Sequence, residues 1–136
     1  KKQFEDKLED GKWQFYNEDK VLIRVEPYEK GNLQGTLKEY YSEGTIKKEE
    51  EYLKGFAHGP TTNYHSNGKK KSEYEQRRNK IHGSYLEYHE NSSIAIEGHY
   101  LLGYKNGTWK YYDENGNLIK TEVYKKDNLV NEKTVK

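Results

Sequence analysis

The side chains with the most reactive chemistry are histidines and carboxylates, and they recur at fixed places along the chain. His58 and His82 each precede a glycine, whereas His65 and His89 each follow a tyrosine, so the members of both pairs stand 24 residues apart. On neighbouring hairpins that spacing separates them by about 9.6 Å, too far to share a zinc ion, whose ligands lie about 2 Å from the metal. Cysteine is absent, and no nucleophile and base form a pair outside the repeating pattern. The sequence therefore predicts no metal site, no cofactor and no catalytic residue.

A second candidate for chemistry is a group of basic residues with few acids between them. The group consists of Lys69, Lys70, Lys71, Arg77, Arg78 and Lys80. Such a group could contact the phosphates of lipid headgroups or of nucleic acid, with Lys69, Lys70, Arg77 and Arg78 as the binding residues. The formal net charge is only +1, however, and a run of glutamates lies one repeat earlier. The pattern favours a solvated face neutralised by cross-strand ion pairs, and the lack of apolar residues predicts that this segment is the least stable.

Aromatic residues are the third candidate, because Trp13, Tyr85 and Trp109 occupy the same place in the first, fourth and fifth repeats, a place that Leu37 takes in the second. A row of exposed rings could stack on sugars or hold the side chains of a peptide. A single sheet also needs one face covered by such residues to be stable, and few other apolar residues exist to cover it. Packing is the favoured interpretation, and a ligand platform is the alternative.

Repetition organises the whole chain, because glycines and tyrosines each recur every 24 residues. The glycines are Gly11, Gly35, Gly59, Gly83 and Gly107, and the tyrosines five residues later are Tyr16, Tyr40, Tyr64, Tyr88 and Tyr112. Internal repetition of this length is typical of arrays in which each unit packs on its neighbours. We predict five repeats at 11–34, 35–58, 59–82, 83–106 and 107–130. Residues 1–10, with Phe4, are predicted as a partial repeat or cap, and 131–136 as a tail or partial repeat.

Turn chemistry predicts that each repeat is a hairpin of two strands. Segments such as Ser66-Asn67-Gly68 supply the residues of a tight hairpin tip, and a looser connection then leads to the next repeat. A third series of tyrosines is predicted to face repeat glycines across adjacent repeats, as Tyr28 with Gly35, Tyr52 with Gly59, and Tyr100 with Gly107. Within repeats we expect the pairs Tyr16 with Leu22, Tyr40 with Ile46, Tyr88 with Ile94, and Tyr112 with Leu118.

Composition indicates a thin structure, because aliphatic residues are few while tyrosines number 14. A tyrosine buries its ring while its hydroxyl stays in water, so rows of tyrosines can hold a single layer together. We therefore predict an all-β fold, an elongated, twisted and curved single-layer antiparallel β-meander of five hairpins, about 48 Å long.

The fifth repeat carries a family resemblance. Its pattern of Gly107, Trp109 and Tyr112, then Asn115-Gly116, Leu118 and Tyr124, resembles the MORN-repeat variant of bacterial proteins, many of which are described as antitoxins of the YwqK type. The resemblance covers about residues 11–130 and implies a curved β-meander without a shared catalytic residue. For members of this family, protein interaction, membrane association and antitoxin activity have been proposed. The third repeat departs from the pattern at Thr61 and Gln76.

Three functions follow from these features. The leading one is a non-catalytic scaffold that binds another protein along its sheet, an antitoxin being one case. The alternatives are a polysaccharide or cell-envelope ligand module using Trp13, Tyr85 and Trp109, and an anionic-lipid or nucleic-acid binder using the basic residues of the third repeat. No apolar run reaches the length of a membrane span, and open sheet ends would allow self-association. The start at Lys1 leads us to expect an exported or cell-envelope protein whose signal peptide has been removed, with a cytoplasmic location left open.

Overall fold

The computed structural model describes residues 10–135, which form one antiparallel sheet of thirteen strands. The half-repeat predicted around Phe4 lies outside the described residues. The strands are β1 Gly11–Tyr16, β2 Leu22–Glu29, β3 Asn32–Leu33, β4 Gly35–Tyr40, β5 Ile46–Leu53, β6 Phe56–Tyr64, β7 Lys70–Arg77, β8 Lys80–Tyr88, β9 Ile94–Leu101, β10 Tyr104–Lys105, β11 Gly107–Tyr112, β12 Leu118–Lys125 and β13 Asn128–Thr134. The short β3 and β10 pair with β2 and β9, and the other strands follow chain order across the sheet. The predicted all-β single-layer meander is confirmed.

Five-residue loops join the two strands of each repeat. In the second repeat the Tyr41 amide donates to the Thr45 carbonyl at 2.8 Å, and Tyr40 pairs with Ile46 just inside the loop. The five loops, at 17–21, 41–45, 65–69, 89–93 and 113–117, make up one edge of the sheet, which we call the long-loop margin. All four pairs predicted within repeats are confirmed: Tyr16 with Leu22, Tyr40 with Ile46, Tyr88 with Ile94, and Tyr112 with Leu118.

Two-residue turns join one repeat to the next, and both residues of each turn have positive φ. Lys54 has φ 50° and Gly55 has φ 89°, the signature of a type I′ turn, whose twist matches that of the flanking strands. Adjacent turns are hydrogen bonded, since the Gly55 amide donates to the Leu33 carbonyl at 2.8 Å. These turns and their flanking residues, 29–32, 53–56, 77–80, 101–104 and 125–128, form the opposite edge, the tight-turn margin. The prediction that this connection is the looser one is wrong.

The repeat glycines have a conformational role. From Gly11 to Gly107 their φ values lie between 81° and 113°, a region that glycine enters without steric cost. Those from Gly35 to Gly107 sit in a bulge after the tight turn. At Gly59, for example, Tyr52 pairs with Ala57, but Glu50 pairs with Thr61. The predicted pairs of Tyr28 with Gly35, Tyr52 with Gly59, and Tyr100 with Gly107 are wrong, because the two-residue turn places each tyrosine opposite a residue before the bulge, as Tyr28 with Leu33. Each repeat glycine instead faces the residue seventeen positions later in its own repeat, as Gly35 faces Tyr52.

Strand β13 departs from this register by one residue. Asn131 stands where the next repeat glycine would fall, and it is not among the described residues with positive φ. Glu122 pairs with Glu132. At the equivalent place between the second and third repeats, Glu50 pairs with Thr61, and the same register here would place Lys133 opposite Glu122. A one-residue slip exchanges the faces that side chains occupy, so the missing glycine reverses the direction of the β13 side chains.

Alternation of side chains gives the sheet two different faces. One, the aromatic face, carries the position shared by Trp13, Leu37, Thr61, Tyr85 and Trp109. Leu37, Thr61 and Trp109 are only 1%, 1% and 2% exposed, so this face holds the core. The other, the carboxylate face, carries the repeat tyrosines together with glutamates such as Glu49, Glu73 and Glu97.

Candidate functional site

The last two repeats bring four aromatic rings together on the aromatic face. Trp109 lies 5.5 Å from Tyr85, 5.1 Å from Tyr100 and 6.4 Å from Tyr124 between ring centroids. Its indole nitrogen donates to the His99 carbonyl at 3.1 Å. The ring fits because β9 offers a glycine beneath it: a Cβ built on Gly98 would lie 2.1 Å from Trp109 Cδ2. Gly98 belongs to neither repeating series, so the sequence analysis missed it.

Three buried or half-buried glutamates lie on the same face, each two residues after a cation and two before a tyrosine. Glu26, Glu50 and Glu122 follow Arg24, Lys48 and Lys120, and precede Tyr28, Tyr52 and Tyr124. Each contacts both neighbours through a short ion pair and a tyrosine hydroxyl, such as the 3.3 Å contact from Lys120 and the 2.8 Å bond from Tyr124 to Glu122. The hydrogen bond that Glu122 accepts from the Tyr111 hydroxyl, more than these two, lowers the pKa of its carboxyl. The alternating pattern of cation, acid and tyrosine is visible in the sequence. In the structure these acids make ion pairs and hydrogen bonds within the sheet, so their role is structural.

The two departures of the third repeat are coupled to each other. Gln76 donates from Nε2 to Glu50 Oε2 at 2.6 Å and to Thr61 Oγ1 at 3.0 Å. All three residues are less than 9% exposed, so an apolar ring in place of Gln76 would leave the Glu50 carboxylate without this donor. The third repeat therefore lies in the sheet with a polar contact where other repeats use rings.

On the carboxylate face, the repeat tyrosines link neighbouring repeats. The Tyr64 hydroxyl donates to Glu49 at 2.7 Å and the Tyr112 hydroxyl to Glu97 at 2.6 Å, and Tyr88 makes the same bond to Glu73. Partial burial, followed by the bond to the glutamate, raises the pKa of Tyr64 to about 12. The same causes raise the pKa of Tyr88 to about 12. The series of tyrosines thus has a structural role between repeats.

Two of the histidines form a second ladder at the long-loop margin. His65 Nε2 lies 2.9 Å from the Tyr88 carbonyl and His89 Nε2 lies 2.9 Å from the Tyr112 carbonyl, so both donate from Nε2. The hydroxyl of Tyr41 donates to the equivalent carbonyl, that of Tyr64. Within residues 10–135 there is no cluster of three or more histidines and carboxylates placed to hold a metal ion.

The predicted aromatic platform is only partly assembled. Tyr85 and Trp109 lie in contact, but Trp13 stands in the first repeat beside Tyr28, 5.6 Å away, about 29 Å from Tyr85 along the sheet. The burial of Trp109 agrees with the favoured interpretation of packing and not with the alternative of an exposed ring, because Gly98 and its aromatic neighbours cover it and leave 2% exposed.

The structure separates the predicted basic residues into two groups. Lys69 and Lys70 lie at the long-loop margin, where Lys70 contacts Glu73 at 3.2 Å. Arg77 and Arg78 lie at the tight-turn margin, about 23 Å away along β7, and the Arg78 guanidinium lies 4.5 Å from the centre of the Phe56 ring. They do not form one patch. No helix in residues 10–135 has the length and hydropathy to cross a membrane.

The tight-turn margin has two properties that the sequence analysis missed. Large apolar side chains are exposed there, with Leu53 at 43%, Phe56 at 38%, Leu101 at 41%, Leu102 at 48% and Tyr104 at 50%. Its charge is mainly positive, whereas that of the long-loop margin is mainly negative. The tight-turn margin carries Lys30, Lys54, Arg77, Arg78, Lys80, Lys125 and Lys126 against Glu29 and Asp127; the long-loop margin carries Glu18, Asp19, Glu43, Glu90, Asp113 and Glu114 against Lys20 and Lys69.

These features define a β-hairpin repeat protein, whose available surfaces are the faces and margins of a single sheet. Five segments match the model of the MORN repeat variant: residues 9–30, 33–54, 57–76, 81–101 and 105–126. The chain belongs to the MORN repeat variant family. This membership suggests a binding or scaffolding role.

Two solved structures show a weaker likeness. One is a crystal structure of an S. aureus TarM mutant in complex with Fondaparinux, alpha-GlcNAc-glycerol and UDP, 16% identical with a TM-score of 0.43 over 65% of this chain and 18% of that one. The other is a crystal structure of TarM, 17% identical with a TM-score of 0.45 over 74% of this chain and 19% of that one. The chain thus spans less than a fifth of the TarM chain. No curated protein matches the chain.

Proposed function

We propose that the chain is a non-catalytic scaffold that binds another protein along its extended sheet. The observation that carries the proposal is that exposed apolar side chains gather at the tight-turn margin. Exposed apolar residues elsewhere on the sheet are Ile94, Ile119, Leu129, Val130 and Val135. Leu53, Phe56, Leu101 and Tyr104 stand at repeat positions on stacked turns and are 38–50% exposed. Apolar groups that gather on the surface of a rigid framework mark interaction sites more often than single exposed residues do.

The polar groups also favour binding over catalysis. The carboxylates of Glu50 and Glu122 are occupied by cations and hydroxyls of the sheet, and the tyrosine hydroxyls of the carboxylate face bond to glutamates. A general base or nucleophile needs a partner arranged toward a substrate, and these groups are arranged toward one another.

Affinity capture with the tagged chain from lysate of the source organism tests the proposal. We expect a protein that binds in a stoichiometric complex, also after purification, and protects backbone amides of at least two neighbouring repeats from hydrogen exchange. Failure to recover any protein that binds the purified chain would overturn the scaffold function.

Antitoxin activity is one form of this proposal, supported by the resemblance of the repeat pattern alone. If it applies, co-expression of the chain should restore growth to cells that express a toxin encoded beside it. The polysaccharide and anionic-surface alternatives lack such support, because Trp109 is covered and the basic residues are divided between two margins.

A further inference from the structure

Apolar and cationic side chains alternate along the tight-turn margin from the second repeat to the fourth. The two residues that flank each turn pair directly: Leu53 with Phe56, Arg77 with Lys80, and Leu101 with Tyr104. Paired residues point to the same side of the sheet, so an apolar pair, a cationic pair and a second apolar pair follow one another. The apolar pairs lie two repeats apart, about 19 Å.

The first apolar pair forms part of a depression. Leu53, Lys54, Phe56, His58 and Arg78 line a shallow cavity of about 210 Å³. That volume is below the roughly 300–1,000 Å³ of sites for small-molecule ligands. Because Leu53 and Phe56 line it together with Lys54 and Arg78, the cavity suits one apolar side chain followed or preceded by an acid.

Arg77 and Lys80, at the centre of this margin, make no ion pair with another described residue. Ion pairs between described residues engage Arg24, Lys48, Lys70 and Lys120, which lie outside the margin. Arg77 and Lys80 are exposed. The hydrogen bonds between successive turns keep the array in order, as when the Gly103 amide donates to the Ile81 carbonyl at 2.7 Å, so a partner meets a prearranged surface.

We propose that the tight-turn margin binds an extended acidic segment of a partner protein, with apolar side chains about six residues apart and carboxylates between them. The spacing follows from about 19 Å at about 3.3 Å per residue of extended chain. The apolar side chains contact the pairs of the second and fourth repeats, and the carboxylates contact Arg77 and Lys80. A lipid bilayer is favoured less, because it has no fixed spacing and no side chain to fill the depression.

This inference rests on the proposed scaffold function and is tested with a synthetic probe. The probe is a fluorescent peptide with two phenylalanines six residues apart, separated and flanked by aspartate, glutamate and glycine. Fluorescence anisotropy is expected to show binding to the wild-type chain. Arg77→Glu combined with Lys80→Glu should weaken it at least about tenfold, and Leu53→Ser combined with Leu101→Ser should have a similar effect.

Matched controls separate the margin from general electrostatics. Lys69→Glu with Lys20→Glu makes the same charge change at the long-loop margin and should leave binding within about twofold of wild type. Replacing both phenylalanines of the probe with serine, or placing them three residues apart, should weaken binding at least about tenfold. Circular dichroism confirms that each variant is folded, and all the substituted side chains are exposed.

Three results would overturn the inference: no binding of the probe to wild type, equal binding by the margin and control variants, or equal binding of probes with either spacing. Tighter binding to vesicles rich in phosphatidylserine, or to single-stranded DNA, with the same dependence on Arg77 and Lys80 would assign the margin to an anionic surface instead. If a captured partner binds the Arg77→Glu, Lys80→Glu chain as tightly as wild type, the margin assignment fails while the scaffold function stands. If no protein is captured, the scaffold function fails.

Discussion

Replacement of Gly98 by alanine adds one methyl group and should destabilise the protein strongly. In most strands the same replacement is stabilising. Gly98 lies in β9 and is not among the glycines with positive φ. At such a position, replacement of glycine by alanine ordinarily stabilises a protein by about 0.4–1 kcal/mol, because it restricts the unfolded chain. Here the new Cβ would lie 2.1 Å from Trp109 Cδ2 and 2.3 Å from Cε2, so the ring or the strand must move.

The expected loss of stability follows from the contacts that the Trp109 ring would lose. Overpacking of a well-filled site costs about 1–3 kcal/mol. Displacement of the indole also weakens its bond to the His99 carbonyl, worth about 1 kcal/mol, and its contacts with Tyr85 and Tyr100, worth about 0.5–1.5 kcal/mol each. Since the ring can shift partway and keep some of these contacts, we expect Gly98→Ala to lower the free energy of unfolding by about 3 kcal/mol.

Urea denaturation followed by circular dichroism measures this loss, and a double-mutant cycle tests its cause. Trp109→Leu is a suitable background, because the equivalent residue of the second repeat is Leu37. With the indole gone the methyl group has room, so Gly98→Ala should then be neutral or stabilising by about 0.4–1 kcal/mol. The reasoning would be refuted if Gly98→Ala were at least as stable as wild type, or if it cost the same with and without the indole.

The remaining predictions concern the polar contact of the third repeat, the register of β13 and the tyrosines. Gln76→Leu should lower the free energy of unfolding in urea by about 1–3 kcal/mol, because buried Glu50 loses a donor; an unchanged midpoint would contradict the bond. Asn131→Gly should permit the positive φ of the repeat glycines, which would bring Lys133 opposite Glu122 as a cross-strand contact in NMR spectra; persistence of the contact between Glu122 and Glu132 would contradict that role. The raised pKa of about 12 at Tyr64 and Tyr88, against about 10 in an unfolded chain, means that their contribution to stability is complete below pH about 10 and is lost as the pH rises through about 12. Tyrosinate absorbance and circular dichroism should change together in that range, and ionisation of all tyrosines near pH 10 with the fold intact would count against it.

Much of the fold was predictable because its signals are local and repeated. The spacing of the glycines and tyrosines predicted the repeat, and the pairs at the long loops, such as Tyr40 with Ile46, followed from counting inward from the loop. The pairs across the tight turns could not be counted this way, because the two-residue turn pairs Tyr52 with Ala57 and the bulge at the repeat glycine then changes the register before Glu50. A bulge depends on φ, and the sequence signals it only by a glycine whose role is ambiguous.

The residues that share each margin were predicted less well, because their grouping depends on which end of a strand each residue occupies. Lys70 and Arg77 are close in sequence, but β7 is extended and places them at opposite margins. Gly98 and Trp109 are eleven residues apart in different repeats, and only the strand pairing reveals that one makes room for the other. The exposed leucines of the tight-turn margin look like core residues in a sequence that is otherwise poor in them.

The hydrogen bonds between successive turns have a consequence for how such a protein changes over generations. Every junction uses the same donor and acceptor positions, such as the Gly55 amide with the Leu33 carbonyl and the Gly103 amide with the Ile81 carbonyl. An in-frame duplication or loss of one 24-residue unit therefore recreates the same backbone hydrogen bonds at the new junction. The molecule can be lengthened or shortened in steps of about 9.6 Å with the backbone contacts between its turns kept.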